Sequence, residues 1–528
     1  MDTAVASAPL RFSSKSQPRS ACSVDGEFAV SLGTRAAVLW EGAFWGVGDK
    51  SVRTTVAQSE TVGPLDQLAR RWARSGAMSL TGPSDGAALG CPSGVVEVLE
   101  LASTRLVENS RRIGTEVAVD GLALLGERAA ITGLSRRGST SCGGATRLLQ
   151  TADGYLALSL ARPEDRDVLP ALLGDSFTSL RSEDSAGSAG SAGSAGSIGS
   201  AEDQVWSQIE GVVRNNRSQE LEALGVELGL AIARLPLSAA ATGRVSRDAS
   251  LSTTDPTHPP DPNDSVSLRV RNAVLRSKLS TDRIPPSSET DRRIRIVDLS
   301  SLWAGPLCGQ LLSAAGCEVI KVESVSRPDG ARMGSPEFFD LLNGTKRSVT
   351  LDFANREDIR ALIDLLASAD VVIEASRPRA FEQLGIDRQA LLATTGVSVW
   401  LQITGHGANG VAATRIGFGD DAAVAGGLVS WDANHPVFCA DAIADPATGL
   451  LAASAVIEAL GAGGKWLLDA SLRRTAQTMA YGPVLHWQGE VAAPNARAVT
   501  HHAPERGLDT QSIISALSLW PASGPRPC

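Results

Sequence analysis

No stretch of about 18 apolar residues occurs anywhere in this 528-residue chain, so no segment of it reads as a membrane-spanning helix. Met1 to Pro18 has no apolar run behind a basic start, so no secretory leader is expected. The seven cysteines are scattered, odd in number and never spaced as CxxC. That argues against a disulfide framework or a zinc site and points to a reducing, cytoplasmic setting. An excess of basic residues is also missing. Lys and Arg number 49 against 58 Asp and Glu, a formal charge of -9, which argues against a nucleic-acid or anionic-membrane surface as the main partner. The strand–turn–helix at 295–315 turns through Trp303-Ala304-Gly305-Pro306 instead of GxGxxG, there is no Walker loop and no HExxH, and none of the six histidines has metal-ligand spacing with a partner. Dinucleotide and metal chemistry both lose their usual signals.

What is present is enough apolar sequence, 43%, for two or three cored domains. Two segments punctuate the chain. Residues 185–200 are a near-perfect Ser-Ala-Gly repeat, read as a flexible insert. Residues 239–291 are rich in Pro, Ser, Thr and charge, read as a linker. The divisions expected are therefore an unassigned segment 1–60, a smaller domain-like region 61–238, the linker 239–291 and a large α/β region 292–528.

The last region alternates. Strands are expected at Arg295–Leu299, Cys317–Val322, Asp370–Ile373, Val397–Ile403 and Trp466–Leu468, and helices at Pro306–Ala315, Arg356–Ser368 and Pro446–Leu460. Such alternation predicts a doubly wound, mostly parallel Rossmann-like sheet, accompanied by a second, smaller α+β domain. In the smaller region helices are expected at Leu65–Ser75, Val95–Asn109 and Val205–Ala233, with a strand at Tyr155–Leu158 after an Asp153-Gly154 turn.

Several residues carry chemical interest. Cys142, in Ser-Cys-Gly-Gly, has no traceable histidine partner and reads as a structural thiol rather than a nucleophile. Asp445 stands in Ala-Asp-Pro-Ala-Thr-Gly before an apolar helix. As a helix cap it is an ordinary arrangement. As a carboxylate in the positive field of a helix start it is also an available nucleophile. Lys321, Arg327, Arg332, Lys346, Arg347 and Arg377 each read as surface charges, yet several follow strand ends, where open α/β sheets bind ligands.

In register, these residues resemble the class III CoA-transferases, the family that also holds carnitine CoA-transferases and 2-methylacyl-CoA racemases. The resemblance runs through Ile296-Val297-Asp298-Leu299-Ser300, Ala304-Gly305-Pro306, Val319 to Glu323, Asn343 to Asp352, Ala369 to Glu374, Arg377-Pro378, Leu384-Gly385 and Asp445. Earlier in the chain, Cys142-Gly143-Gly144 and Thr151 to Ala157 resemble the family's glycine loop and the first strand of its smaller domain. There the smaller domain follows the large one. Here it precedes it, and Ala503 to Thr510 resembles the ordinary C-terminal end, so a permuted or rearranged member is expected.

The resemblance implies Asp445 as the catalytic carboxylate, with Gly143 and Gly144 covering the acyl intermediate. It implies Lys346 and Arg347 flanking CoA and Lys321, Arg327 or Arg332 near its phosphates; Trp303 stands where the formyl-CoA branch has a polar residue, its bulk narrowing the acyl pocket or filling core. No tightly bound cofactor is implied. A CoA thioester is the substrate, a small carboxylic acid the partner substrate, and a homodimer the assembly. Racemases of the family need a histidine in a Gly-His-Asp element, and here Phe418 stands in its place, with His406 nearby. Three readings follow: an acyl-CoA:carboxylate CoA-transferase, a racemase, or a non-catalytic CoA-binding relative. Arg379, where the family usually has glycine, is a further departure.

Overall fold

The structure is a computed structural model and describes residues 63–174, 197–236, 262–280, 293–376 and 378–517. The unassigned segment 1–60, most of the Ser-Ala-Gly insert, Arg377 and the outer parts of the linker lie outside the described residues.

Seven strands form the main sheet. In chain order they are β4 (Val274–Ser280), β5 (Arg295–Leu299), β6 (Glu318–Ser324), β7 (Arg347–Leu351), β8 (Val371–Glu374), β9 (Val399–Thr404) and β12 (Lys465–Ser471), arranged β4-β12-β9-β8-β5-β6-β7. All neighbours pair in parallel except β4, which runs antiparallel to β12 at the edge. The strands are nearly continuous apolar runs because both faces are covered. Side chains alternate between faces, so adjacent residues part company. Ile296, Val371 and Val399 enter one core, and Val297, Val372 and Trp400 the other.

The first core holds the helix Ala444–Ala462, which is buried over most of its surface. It lies against the helices Ser93–Ile113 and Ala304–Ala314. Its small residues permit close approach: a Cβ added at Gly449 would stand 2.7 Å from the Ala304 carbonyl oxygen. The second core takes the helices Arg356–Ala367 and Arg388–Thr394. A smaller antiparallel sheet, β1 (Thr146–Gln150), β2 (Tyr155–Ser159) and β3 (Ala231–Arg234), has its own core around Trp206 and Leu156. A two-stranded ribbon is formed by β10 (Ser430–Asp432) and β11 (His435–Val437). No helix among the described residues is long and apolar enough to cross a membrane.

Two expectations change. Within the expected linker, residues 262–280 form a helix, Pro262–Ala273, and the edge strand β4. Val270, Ala273 and Val274 are buried in the main core, and Arg276 pairs with Glu458 at 2.9 Å. The apolar spacing of this short stretch is diluted by the Pro-rich composition on either side. The expected long helix Val205–Ala233 is instead two helices, Ser197–Val213 and Ser218–Glu227, followed by β3. The Asn215–Arg217 turn breaks it, with Ser218 N–H donating to Asp153, and Gly229, at φ +75°, turns the chain into the strand.

Replacing Gly449 with Val would force two helix backbones apart. The expected cost is about 1–3 kcal/mol of stability, read as a lower denaturation midpoint. An unchanged midpoint would show that the helix contact yields freely.

Candidate active site

β5 and β8 are hydrogen-bonded neighbours, yet the chain leaves β5 toward β6 and β7 and leaves β8 toward β9 and β12. Loops diverging from adjacent parallel strands leave a crevice beyond their carboxyl ends. A cavity of about 320 Å³ occupies that place, lined by Leu299 and Leu302 after β5, Ser376 after β8, Thr404 at the end of β9, and by Phe418 and Asp445.

Asp445 lies in the first turn of the helix Ala444–Ala462 but does not cap it, since the capping position is Ile443 and no side chain bonds there. Its Oδ2 instead accepts from the Gly419 N–H at 3.1 Å, at the start of the helix Gly419–Ala425. A Cβ at Gly419 would come within 2.4 Å of that oxygen, so only glycine permits the contact. Burial pushes the Asp445 carboxyl up to about 7, opposed by Arg128 and the Gly419 amide and reinforced by Asp441.

The backbone before Asp445 is strained. Ala440 and Ala442 adopt φ +57° and +43°, and Leu302 across the cavity +70°. Ala440 N–H donates to Thr81 Oγ1 at 2.9 Å and Ala442 N–H to Asp420 Oδ1 at 3.1 Å. Between them Asp441, fully buried, takes a two-pronged contact from Arg128, with Nε to Oδ2 at 2.8 Å. The Arg128 guanidinium also lies over the Trp303 ring at 4.9 Å. Burial works against its charge, but Asp441, Asp420 and Asp445 together hold it more firmly protonated. The Asp420 carboxyl is pushed up to about 7 by burial and by Asp441. Burial pushes Asp421 up to about 8, against the Phe418 N–H that donates to its Oδ1 at 2.8 Å.

The other expected site residues lie elsewhere. Gly143 and Gly144 line a separate cavity. Lys321 is buried, donating to Asp329 at 2.7 Å and to the Ser300 carbonyl at 2.9 Å. Lys346 is buried, donating to Asp298 at 2.8 Å and to the Pro306 carbonyl at 2.9 Å, and burial lowers its pKa. Arg332 pairs with Glu323 at 2.6 Å, and Arg347 with Asp509 at 3.1 Å. Trp303 is buried edge-on to Phe338. None of these five lines the Asp445 cavity. The two lysines hold both ends of the segment 300–306, a turn running into the first turn of the helix Ala304–Ala314, which forms part of its wall. Arg327 is exposed.

Phe418 does line the cavity, whereas the His406 ring is buried beside Gly417, its Nε2 3.3 Å from the Ile416 carbonyl. Burial and the cations Arg415 and Arg473 depress its pKa to about 3, so it is neutral. The Cys142 thiol is pushed up by burial and lies 3.6 and 3.7 Å from the Leu80 and Ala440 carbonyls, as a structural thiol would. Sequence reasoning missed Arg128, Asp420, Asp421 and Asp441. No local pattern marks Arg128, which is 313 positions from its partner.

Removing the positive charge in Arg128→Met should raise the Asp445 midpoint further above 7, by about one unit or more, as read by infrared titration of the carboxyl band. For Asp421, a folded value of about 8 exceeds the unfolded value of about 3.9. The folded state therefore holds the proton more tightly. This contribution is complete below pH ~4 and is lost as pH rises through 8. Asp421→Asn should thus gain about 2–4 °C in melting temperature over wild type at pH 9 relative to pH 5. Parallel pH profiles would refute this.

Residues 292–509 match the family described as CoA-transferase family III. Over 216 residues the chain is 33% identical to an acyl-CoA transferase of Fusarium pseudograminearum, covering 37% of this chain and 47% of that protein. Over 195 residues it is 30% identical to a succinate–glutarate CoA-transferase of Agrobacterium fabrum, covering 34% and 48%. Among solved structures, a CaiB/BaiF family protein from Brucella suis is 30% identical over 35% of this chain and 53% of that one, with a TM-score of 0.32. The chain spans about half the length of these curated relatives.

Proposed function

We propose, from the match of residues 292–509 to CoA-transferase family III, that the chain moves CoA from an acyl-CoA to a carboxylic acid through a covalent intermediate on Asp445. The observation that carries this reading is the carboxyl itself. Asp445 opens on the switch-point cavity, is held by one backbone N–H, and is pushed by burial up to about 7.

The exchange proceeds in four attacks. An Asp445 oxygen attacks the thioester carbonyl and expels CoA thiolate, leaving a mixed anhydride. The thiolate attacks the Asp445 carbonyl carbon, releasing the donor's carboxylate and forming an aspartyl thioester. The acceptor carboxylate attacks that thioester, again expelling the thiolate and forming a second anhydride. The thiolate then attacks the acceptor's carbonyl, which yields the new acyl-CoA and restores Asp445. Splitting the exchange in this way replaces one hard step by easier ones.

Arg128 acts through space, favouring the ionised nucleophile, while Asp441 works against it. Arg162 and Arg415 line the same cavity, Arg162 held on Asp165 at 3.0 Å and Arg415 on Glu222 at 2.8 Å. Lys321 and Lys346 serve as positioning residues beneath the loop 300–306. The racemase alternative finds little support, because Phe418 lines the cavity where a second base is needed and His406 does not.

The described residues of 63–174 and 197–236 come before the family III segment and pack into the same compact unit. This supports the rearranged order, and the resemblance supports a homodimer.

Incubation with acyl-CoAs and hydroxylamine, followed by peptide mapping, tests the proposal. A hydroxamate or CoA adduct on the peptide holding Asp445, absent in Asp445→Ala, is the expected result. Its rate of formation should rise with pH through about 7 as the carboxyl ionises. Solvent deuterium entering the acyl α-carbon without any adduct would sink the transferase reading in favour of racemisation.

A further inference from the structure

A second cavity, about 380 Å³, opens at the glycine loop and is lined by Arg137, Gly143, Gly144, Arg147, Glu202 and Asp203, among others. Its charges are unevenly matched. Arg147 pairs with Asp203 at 3.3 Å and Glu210 at 3.4 Å and lies over the Trp206 ring. Glu202 pairs with Arg166 at 3.1 Å. Among the described residues the Arg137 guanidinium has no hydrogen-bond or ion-pair partner, so it is the uncompensated charge of the cavity.

The loop is shaped around that guanidinium. Gly144 sits at φ +83°, and a Cβ there would stand 2.7 Å from Arg137 Nη1. Glycine alone lets the guanidinium lie against the backbone. Among the described residues the amides of Gly143 and Ala145 donate no hydrogen bond. One guanidinium fork beside two unengaged N–H groups suits a single planar carboxylate. A phosphate dianion would ask for more positive charge than Glu202 and Asp203 leave.

This cavity neighbours the Asp445 cavity. Leu160 lines one and Arg162 the other, and a Cβ at Gly143 would stand 3.5 Å from Arg128 Nη2, the arginine that clamps Asp441. Resting on the transferase reading above, we propose that the Arg137–Gly144 pocket holds the remote carboxylate of a dicarboxylic acid substrate whose other carboxyl reaches Asp445. Arg137 thereby selects dicarboxylates over monocarboxylates.

The test is calorimetric binding to the full chain, which needs no turnover, with glutarate, butyrate and inorganic phosphate as probes. Wild type should bind glutarate at least ~10-fold more tightly than butyrate, the gain of one charge-assisted contact. Arg137→Gln should lose that difference and Arg137→Lys recover part of it, with melting temperatures unchanged. Gly144→Ala, which displaces the guanidinium, should weaken glutarate in the same way. Equal binding of glutarate and butyrate by wild type, or unaltered glutarate binding by Arg137→Gln, would overturn the assignment. So would phosphate displacing glutarate at equal concentration. If glutarate binds as expected while no acyl-CoA forms an adduct on Asp445, the pocket assignment stands and the transferase reading alone fails.

Discussion

The contact between Arg128 and Asp441 joins two parts of the chain 313 positions apart and sets the geometry of the Asp445 site. Asp441 is wholly buried, and Arg128 is largely so. Such a pair gains little net stability, because desolvation offsets the attraction, but removing one partner leaves a buried charge uncompensated. Its consequence is therefore positional. It ties the short helix Glu127–Thr132 to the strained turn Ala440–Ala442, and that turn delivers Asp445 to the cavity. Glu127, the preceding residue, pairs with Arg497, so the same helix is anchored to the C-terminal segment as well. The early part of the chain supplies the cation, and the late part supplies the carboxylates that need it.

Two further buried pairs, Lys346–Asp298 and Lys321–Asp329, show why charge in a sequence is a poor guide to binding. Lys321 lies in the parallel strand β6 and Lys346 directly precedes β7. Their ammonium groups are turned inward, onto carboxylates and onto the Ser300 and Pro306 carbonyls. Gly309 makes room for one of them, since a Cβ there would stand 2.8 Å from Asp298 Oδ2 and 3.0 Å from Lys346 Nζ. The resemblance located these residues at the site's margin. Their contacts hold the Ser300 and Pro306 carbonyls, an arrangement that spacing cannot distinguish from phosphate binding.

The sheet was far more legible than the site. Arg295–Leu299 forms a strand over the residues expected, and the strands near Val371, Val399 and Trp466 lie within two or three residues of expectation, because parallel strands buried on both faces are short apolar runs with clear ends. The helix Pro262–Ala273 and its strand were hidden, since their few apolar residues sit amid proline and serine. Asp445 was legible through the motif around it, although its expected role as its own helix's cap gave way to a bond with Gly419. Asp420 and Asp421 stood in view in Gly-Phe-Gly-Asp-Asp, but only as the neighbours of a missing histidine. Arg128 had no local signature. Its importance arises from tertiary contact alone.

The charge balance around Asp445 bears on how a buried carboxyl could serve as the proposed nucleophile. Three carboxylates, Asp420, Asp441 and Asp445, surround one arginine. Asp441 takes the direct contact, so its charge and that of Arg128 largely cancel. Asp420 and Asp445 are left to burial, which holds both near neutrality rather than in the usual carboxylate range. A nucleophile with such a value is ionised often enough to attack and basic enough to form a bond worth keeping. With a second arginine pressed on Asp445, its carboxylate would be a weaker nucleophile. With none, it would stay protonated at neutral pH. A single guanidinium, committed to a neighbouring aspartate rather than to Asp445 itself, gives the intermediate condition that the proposed covalent route would require.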